Sequence, residues 1–545
     1  MCNYEIYMKV RRQESPIVFS KRAGTKAVIS GSEDYYGACS LENFYDASSL
    51  GLTHEDAQGW IDYVTMFTPG NFWYKDGNVG VWMYEETYDN WLDTYGIDAV
   101  MAFYHSGHGN MRSDGTFEFP LGNNWGGRSW GNSNDMIFGN ETARYVFFST
   151  CLSCRVHDGH DPIRTWHNSN RGFRMLFGFE TVSVDDPSYG KFFWEEWNKG
   201  KSFSQAWLDA SWRISNRQSP SVVAAGSNAD DASNRLFNER KFYPDAMDRS
   251  YYWWRWYDGI GTRLATPRGD GKAITDLRVA VLDKDFNPLT SAVKSVISDL
   301  GFSKSSLENP QTDALGNHYY GSNKQRITTT PEGFMNVSFK NHNFKNYTAL
   351  PQDMAVSMAE DLVKSLNLKN VDLRPTHVYR GYACSGSPKG SGKIDDVKTV
   401  ETIVDFRQYI NGVPVINAGS GKVRVTLDND GKITNLSVAV KPVKGFKATL
   451  EGKKQPKDPN LLKTARKVLL KSPQSRSKAF AKLLKGTKIE KANAKFKGRK
   501  VKVIRDKVGY DINGSYGSLT AHREIEISYP DSLSKRLKLR LPIVE

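Results

Sequence analysis

Residues 99–109, AVMAFYHSGHG, and residues 145–151, YVFFSTC, decide the fold. Each opens as an apolar run of strand length with no polar alternation, the pattern of a strand buried on both faces of a sheet. Each also ends in a reactive side chain, His108 in the first and Cys151 in the second. A histidine and a cysteine on neighbouring strand ends can form a nucleophile and its proton acceptor. Working outward, Lys26 to Ser30 reads as a short strand and Glu55 to Met66 as a helix with Trp60, Val64 and Met66 on one side. Phe173 to Phe179 is another buried-strand run, and Tyr189 to Ile214 carries apolar residues at helical spacing, broken at Gly200. Apolar strands alternating with helices predict an α/β fold: a mostly parallel sheet with helices on both faces. Chemistry in such sheets gathers at the carboxyl ends of the strands, where His108 and Cys151 both lie.

The 545 residues exceed what one hydrophobic core holds. All 14 Trp fall between Trp60 and Trp256, which sets off residues 1–265 as one domain. Residues 266–345 read as a connecting α+β region containing a strand at Leu277 to Leu282 and a helix at Ser291 to Leu300. In 346–445, a helix over Gln352 to Leu366 aligns Ala355, Met358, Leu362 and Leu366. There, Thr402 to Ile410, Asn411-Gly412 and Val413 to Ile416 spell a hairpin, since Asn-Gly accepts the positive φ of a type I′ turn. Val423 to Leu427, Asp430-Gly431 and Ile433 to Val440 repeat the pattern, giving a small α+β module. In 446–545, amphipathic helices at Leu461 to Leu470 and Arg476 to Leu484 precede strands at Lys500 to Arg505, Arg523 to Ser528 and Leu537 to Leu541.

Residues 441–510 hold 23 Lys plus Arg against four acids, so the net charge of +14 is a property of this stretch and not of the whole chain. It predicts a polyanion or an acidic partner there. The amino-terminal residues lack an apolar signal core, and no 18-residue apolar run occurs, so no transmembrane segment is expected. Five scattered cysteines fit a reducing compartment. Both readings point to the cytoplasm, with secretion left open for a processed form.

A thiol attacks a carbonyl as thiolate, and an adjacent imidazole takes its proton and later returns it to the leaving amine. Cys151 and His108 suit these roles, and the backbone N–H groups of Gly109 and Cys151 suit an oxyanion. His105 reads as a packing residue, because His108 is the histidine followed by glycine. A strand ending in SGHG, followed by a strand ending in cysteine, resembles the caspase-like cysteine peptidases (caspases, metacaspases, gingipains and separase). Downstream, Leu176-Phe177-Gly178-Phe179-Glu180, Asp185-Asp186, Phe192-Phe193-Trp194 and Gly200 to Trp207 are similar to that fold's strand, acidic loop and helix pair. The likeness is closest to a little-characterised bacterial group of such domains and spans roughly residues 20 to 260. It implies peptide-bond hydrolysis by a Cys-His dyad on a protein or peptide substrate, with no cofactor.

Relatives that prefer basic residues have Asp two positions before the nucleophile, where this chain has Ser149. Glu180, Asp185, Asp186 and Ser149 are therefore the candidate pocket residues. The module at 346–445 is similar to peptidase propeptide-type domains, which implies an inhibitory or chaperone-like role for it, and the change in composition after residue 265 predicts that the C-terminal regions regulate or localise the catalytic domain. The rival reading is a non-catalytic binding or structural protein on the same fold, with Cys151, Cys154, His157 and His160 as a metal set.

Overall fold

The computed structural model describes residues 35–544 apart from 68–69, 265–276, 290–293, 295, 299, 304, 314, 323–324, 390–393, 449–458, 471–479 and 486–498. The strand expected at 26–30 lies outside the described residues, as do residues 291–293, 295 and 299 of the helix expected at 291–300 and residues 476–479 of the one expected at 476–484; 294, 296–298 and 480–484 are helical. The chain divides into two compact units, where composition suggested four segments. The first holds the described residues up to Gly259 together with Gly381–Lys398 and Ser528–Arg536, and the second holds the remainder.

The first unit contains, in chain order, β1 (Tyr36–Ser40), α1 (Thr53–Thr65), β2 (Phe72–Lys75), α2 (Asp89–Tyr95) and β3 (Ala102–Ser106). Then come β4 (Asn110–Met111), β5 (Phe117–Trp125), β6 (Arg128–Asn132), β7 (Tyr145–Ser149), α3 (Pro162–Trp166) and β8 (Met175–Phe179). α4 (Tyr189–Asn198), α5 (Phe203–Ile214), β9 (Pro220–Gly226), α6 (Ala229–Asn238) and β10 (Tyr251–Tyr257) complete it. Strands β2, β1, β3, β7 and β8 lie side by side in that order and run parallel. Every residue of β3, β7 and β8 is buried, as their unbroken apolar runs require. β9 and β10 then join antiparallel.

Tyr104, Phe147 and Phe177 form a row across β3, β7 and β8, and the last two rings stack at 4.1 Å. Trp60 of α1 lies 5.3 Å from Tyr104, and Phe193 of α4 and Trp207 of α5 pack on Phe147, so this face is the helical one. On the opposite face Phe103, Val146, Phe148 and Leu176 meet Phe117 and Phe119 of β5 and Trp166 of α3. That layer is a three-stranded β4–β5–β6 sheet supplemented by the short α2 and α3, and the long helices expected on both faces are confined to one.

α1 and α4 cross where Gly190 leaves no room for a side chain: a Cβ there would lie 2.5 Å from the Asp56 carbonyl oxygen. α1 ends at Thr65, leaving Met66 exposed outside the stripe predicted for it. The break at Gly200 separates α4 from α5, and Ser202 caps α5 by accepting a hydrogen bond from the Gln205 N–H.

In the second unit, β11 (Thr262–Arg263), β12 (Val279–Leu282), β13 (Gln311–Thr312), β14 (His318–Gly321), β15 (Gln325–Thr329) and β16 (Met335–Phe339) precede a helix at Gln352–Ser365. They are followed by β17 (Asp372–Gly386), β18 (Lys398–Ile410), β19 (Val413–Pro414), β20 (Lys422–Leu427), β21 (Ile433–Ala439) and β22 (Val443–Lys447). A helix at Pro459–Leu470, β23 (Lys500–Asn513), β24 (Tyr516–Ser528) and β25 (Ser534–Pro542) close the chain. The Asn411-Gly412 turn forms as expected, with φ of 48° and 74° between paired Ile410 and Val413. The Gln352–Ser365 helix buries Ala355, Ala359, Leu362 and Val363, while Met358 turns outward. Its core also takes in Ile327, Met335 and Val337, so β15 and β16 belong with the module expected to begin at 346.

Every strand ladder described in the second unit is antiparallel, with one isolated parallel bridge between Val415 and Tyr510, and among the described residues antiparallel ladders outnumber parallel ones. The α/β composition holds, but the mostly parallel sheet is corrected: among the described strands, parallel ladders join only β2, β1, β3, β7 and β8. No helix among the described residues is long and apolar enough to cross a membrane.

Candidate active site

β3 and β7 are paired so that Ser106 sits opposite Ser149, and each chain runs two residues further to its reactive side chain. His108 and Cys151 thus emerge from adjacent strand ends. Gly109 lets the two turns touch, since a Cβ there would stand 2.7 Å from the Cys151 carbonyl oxygen and 2.7 Å from the Phe117 ring. Leu152, next after the cysteine, has φ of 61°, a left-handed conformation that costs energy for a side chain of this size. The turn is held by Leu152 N–H donating to the Thr181 carbonyl at 3.3 Å and Cys154 N–H to the Phe179 carbonyl at 3.0 Å.

Cys151 is fully buried. Its sulfur accepts the Ser183 N–H at 3.3 Å, lies 3.5 Å from the Ser183 hydroxyl, and donates to the Ser534 carbonyl at 3.1 Å.

His108 is buried between Phe44 and Tyr529, with ring centroids at 5.1 and 5.3 Å. Its Nε2 lies 2.9 Å from the Ser48 carbonyl, which can only accept, so the proton belongs on Nε2 and Nδ1 keeps its lone pair. Among the described residues Nδ1 has no partner. Burial, reinforced by the charge of Lys535, lowers its pKa to about 3, so the ring is neutral.

His105 faces the β5 side instead, its Nδ1 2.8 Å from the Tyr84 hydroxyl and 3.1 Å from the Cys39 sulfur. It is the packing histidine expected. Burial, and secondarily the Lys535 charge, lower its pKa to about 3 as well. On acidification the unfolded chain takes up this proton first, so the stabilisation is complete above about pH 6.5 and is lost as pH falls towards about 3. Replacing His105 by Asn should therefore cost less at pH 4 than at pH 7, the gap narrowing by about 3 kcal/mol. Chemical denaturation of both proteins across that range measures it, and a constant gap would contradict the assignment.

The four candidate pocket residues separate. Asp185 lies on the loop after β8, where its carboxylate accepts the Gly51 N–H at 3.1 Å. Burial raises its pKa, while the positive charge of Lys535 opposes the rise. Asp186 is half-buried beside it and adds like charge.

Glu180 is engaged elsewhere: it accepts from the Val156 N–H and lies 2.8 Å from His157 Nδ1, raising the pKa of that histidine. Ser149 is buried, and hydrogen bonding from its side chain helps lower the pKa of the Asp56 carboxyl. Asp56, missed in the sequence, gathers the Tyr104 hydroxyl at 2.9 Å, the Ser106 hydroxyl at 2.7 Å and the Gly190 N–H at 2.9 Å beneath the two strand ends. Burial outweighs these bonds and raises its pKa to about 6.

The proposed metal set does not assemble. Cys154 is buried in the core 3.2 Å from where a Gly178 Cβ would stand, and His157 is paired with Glu180, while Cys151 faces Ser183. Among the described residues only Asp93, Asp98 and Glu141 bring three ligand atoms together, and Asp98 already accepts the N–H groups of Gly139, Thr142 and Ala143.

Sequence reasoning also missed Ser48, which acts through its backbone, and Ser183, which acts through its N–H and its hydroxyl; neither stands in a motif that marks it. Comparison with known proteins finds no curated protein and no solved structure that matches. The segment carrying both strand ends, residues 38–258, is similar to the family whose model is described as a domain of unknown function, DUF6345.

Proposed function

We propose that the chain is a cysteine endopeptidase of caspase-like type, with Cys151 as nucleophile and His108 as general base. The observation that carries the reading is the juxtaposition of the two strand ends, with Gly109 against the Cys151 backbone and His108 Nδ1 left as a free acceptor. In this mechanism the Cys151 proton passes to Nδ1 and the sulfur bonds to the peptide carbonyl carbon. The Gly109 and Cys151 amides hold the oxyanion. The C–N bond then breaks as the imidazolium protonates the departing amine, and water, deprotonated by His108, hydrolyses the thioester. No cofactor is required for these steps.

The C-terminal regions regulate or localise this activity, and the basic run 441–510 meets a polyanion or an acidic partner through salt-sensitive contacts. A second reading, a non-catalytic binding protein on the same fold, is favoured by one fact, the complete burial of Cys151 and His108. Hydrolysis of a fluorogenic peptide library by the full chain and its Lys535→Glu variant separates the two. Activity lost in Cys151→Ala and kept in Cys154→Ala is expected, and no hydrolysis by either chain would favour the binding protein.

A further inference from the structure

The residues that cover the candidate site come from the far end of the chain. Tyr529 to Leu533 form a tight turn, closed by the Tyr529 N–H on the Leu533 carbonyl at 2.8 Å, with Ser532 at φ of 66°. Beyond the turn the chain runs as an added strand along the loop after β8. Arg536 N–H donates to the Ser183 carbonyl at 3.0 Å, and Asp185 N–H donates to the Arg536 carbonyl at 2.8 Å, in a parallel bridge between Val184 and Arg536. This is how a sheet edge captures an extended peptide.

The side chains fill the site itself. Lys535 is only 2 % exposed, and its Nζ donates to the Ser183 hydroxyl at 3.0 Å and the Gly107 carbonyl at 3.4 Å, with the Asp185 carboxylate nearby. A lysine is rarely buried this far without groups arranged to receive it. The preceding carbonyl, of Ser534, takes the Cys151 proton. Tyr529 covers the His108 ring, and the Asp531 carboxylate accepts the N–H of Ser48, the residue whose carbonyl orients that ring.

We propose that the Ser183–Asp185 edge and the Gly107 carbonyl form a groove for an extended peptide bearing a lysine, and that Tyr529–Arg536 is its resident, autoinhibitory occupant. The inference rests on the peptidase reading for its consequence, but the groove stands on its own contacts. The occupant acts twice: it excludes substrate from Cys151, and by burying His108 beside a lysine charge it holds the imidazole too weakly basic to take a thiol proton. Its departure removes both effects.

The test uses the full chain and iodoacetamide, with alkylation rates mapped to each cysteine by mass spectrometry. Lys535→Glu removes the donor to the Ser183 hydroxyl and the Gly107 carbonyl and reverses the charge that offsets Asp185; it is expected to raise the Cys151 rate at least tenfold, with Cys154 unchanged and Lys535→Arg close to wild type. A synthetic peptide of residues 529–536 should restore slow alkylation to the Lys535→Glu chain, and the same peptide with Glu for Lys should not. An unchanged Cys151 rate, or no protection by the peptide, overturns the proposal. Should Cys154 accelerate equally, Asp531→Ala, which frees only the turn, is read in the same way, and an equal rise there overturns it too. Alkylation needs no turnover, so a chain whose Cys151 becomes reactive yet cleaves no peptide keeps the groove and loses the peptidase.

Discussion

Peptide hydrolysis by the His108→Ala chain is expected to fall by about 10³-fold, within the range contributed by a positioned general base. The expectation follows from the tautomer. Ser48 holds the proton on Nε2 at 2.9 Å, so the only lone pair the ring offers is Nδ1, and alanine removes it altogether. Because His108 acts on the bond-making step, kcat should carry the loss and KM should change little. The readout is steady-state hydrolysis in the Lys535→Glu background, compared with the same background carrying His105→Asn, which should keep most of its activity. A His108→Ala chain retaining more than a tenth of the rate would remove the histidine from the mechanism.

The second large effect is on stability. Asp56→Ala should cost about 3–5 kcal/mol, because it strands the Tyr104, Ser106 and Ser149 hydroxyls and the Gly190 N–H in a fully buried site. These groups belong to α1, β3, β7 and α4, so one carboxylate ties the helical face to the two strand ends that carry the reactive pair. A thermal midpoint lower by about 10 °C is the expected result. A shift of a degree or two would show that the cluster relaxes and that the strand ends are held by aromatic packing alone.

Much of this site was legible because it depends on local patterns. The unbroken apolar runs before His108 and Cys151 could only be central strands, and Gly200 between α4 and α5 and Asn411-Gly412 between β18 and β19 mark element breaks through backbone conformations few residues adopt. Strand direction was not legible. PSVVAAG in β9 and YYWWRWY in β10 are as apolar as a parallel strand, and only tertiary pairing makes them antiparallel. Met66 and Met358 fell on the wrong side because a helix of 3.6 residues per turn drifts off a stripe near its end or where a smaller residue, such as Ala359, packs instead. Glu180, Asp185 and Ser149 looked equivalent as polar residues near strand ends. Their environments part them: a histidine takes Glu180, the Asp56 carboxylate takes Ser149, and the charge of a lysine 350 positions along the chain acts on Asp185. That lysine sits in a strand whose alternation of Leu with Lys and Arg reads as an ordinary basic face, and nothing in the sequence announces that its first residues return to Cys151.

The central claim, that Cys151 is a nucleophile activated by His108, is tested most directly by mapping a covalent adduct. The Lys535→Glu chain is treated with a lysyl acyloxymethyl ketone, which a thiolate displaces, and the modified residue is located by mass spectrometry. One adduct per chain, at Cys151 and lost in His108→Ala, is the predicted result, whereas an adduct at Cys154, or labelling of Cys151 that persists unchanged without His108, would contradict the claim.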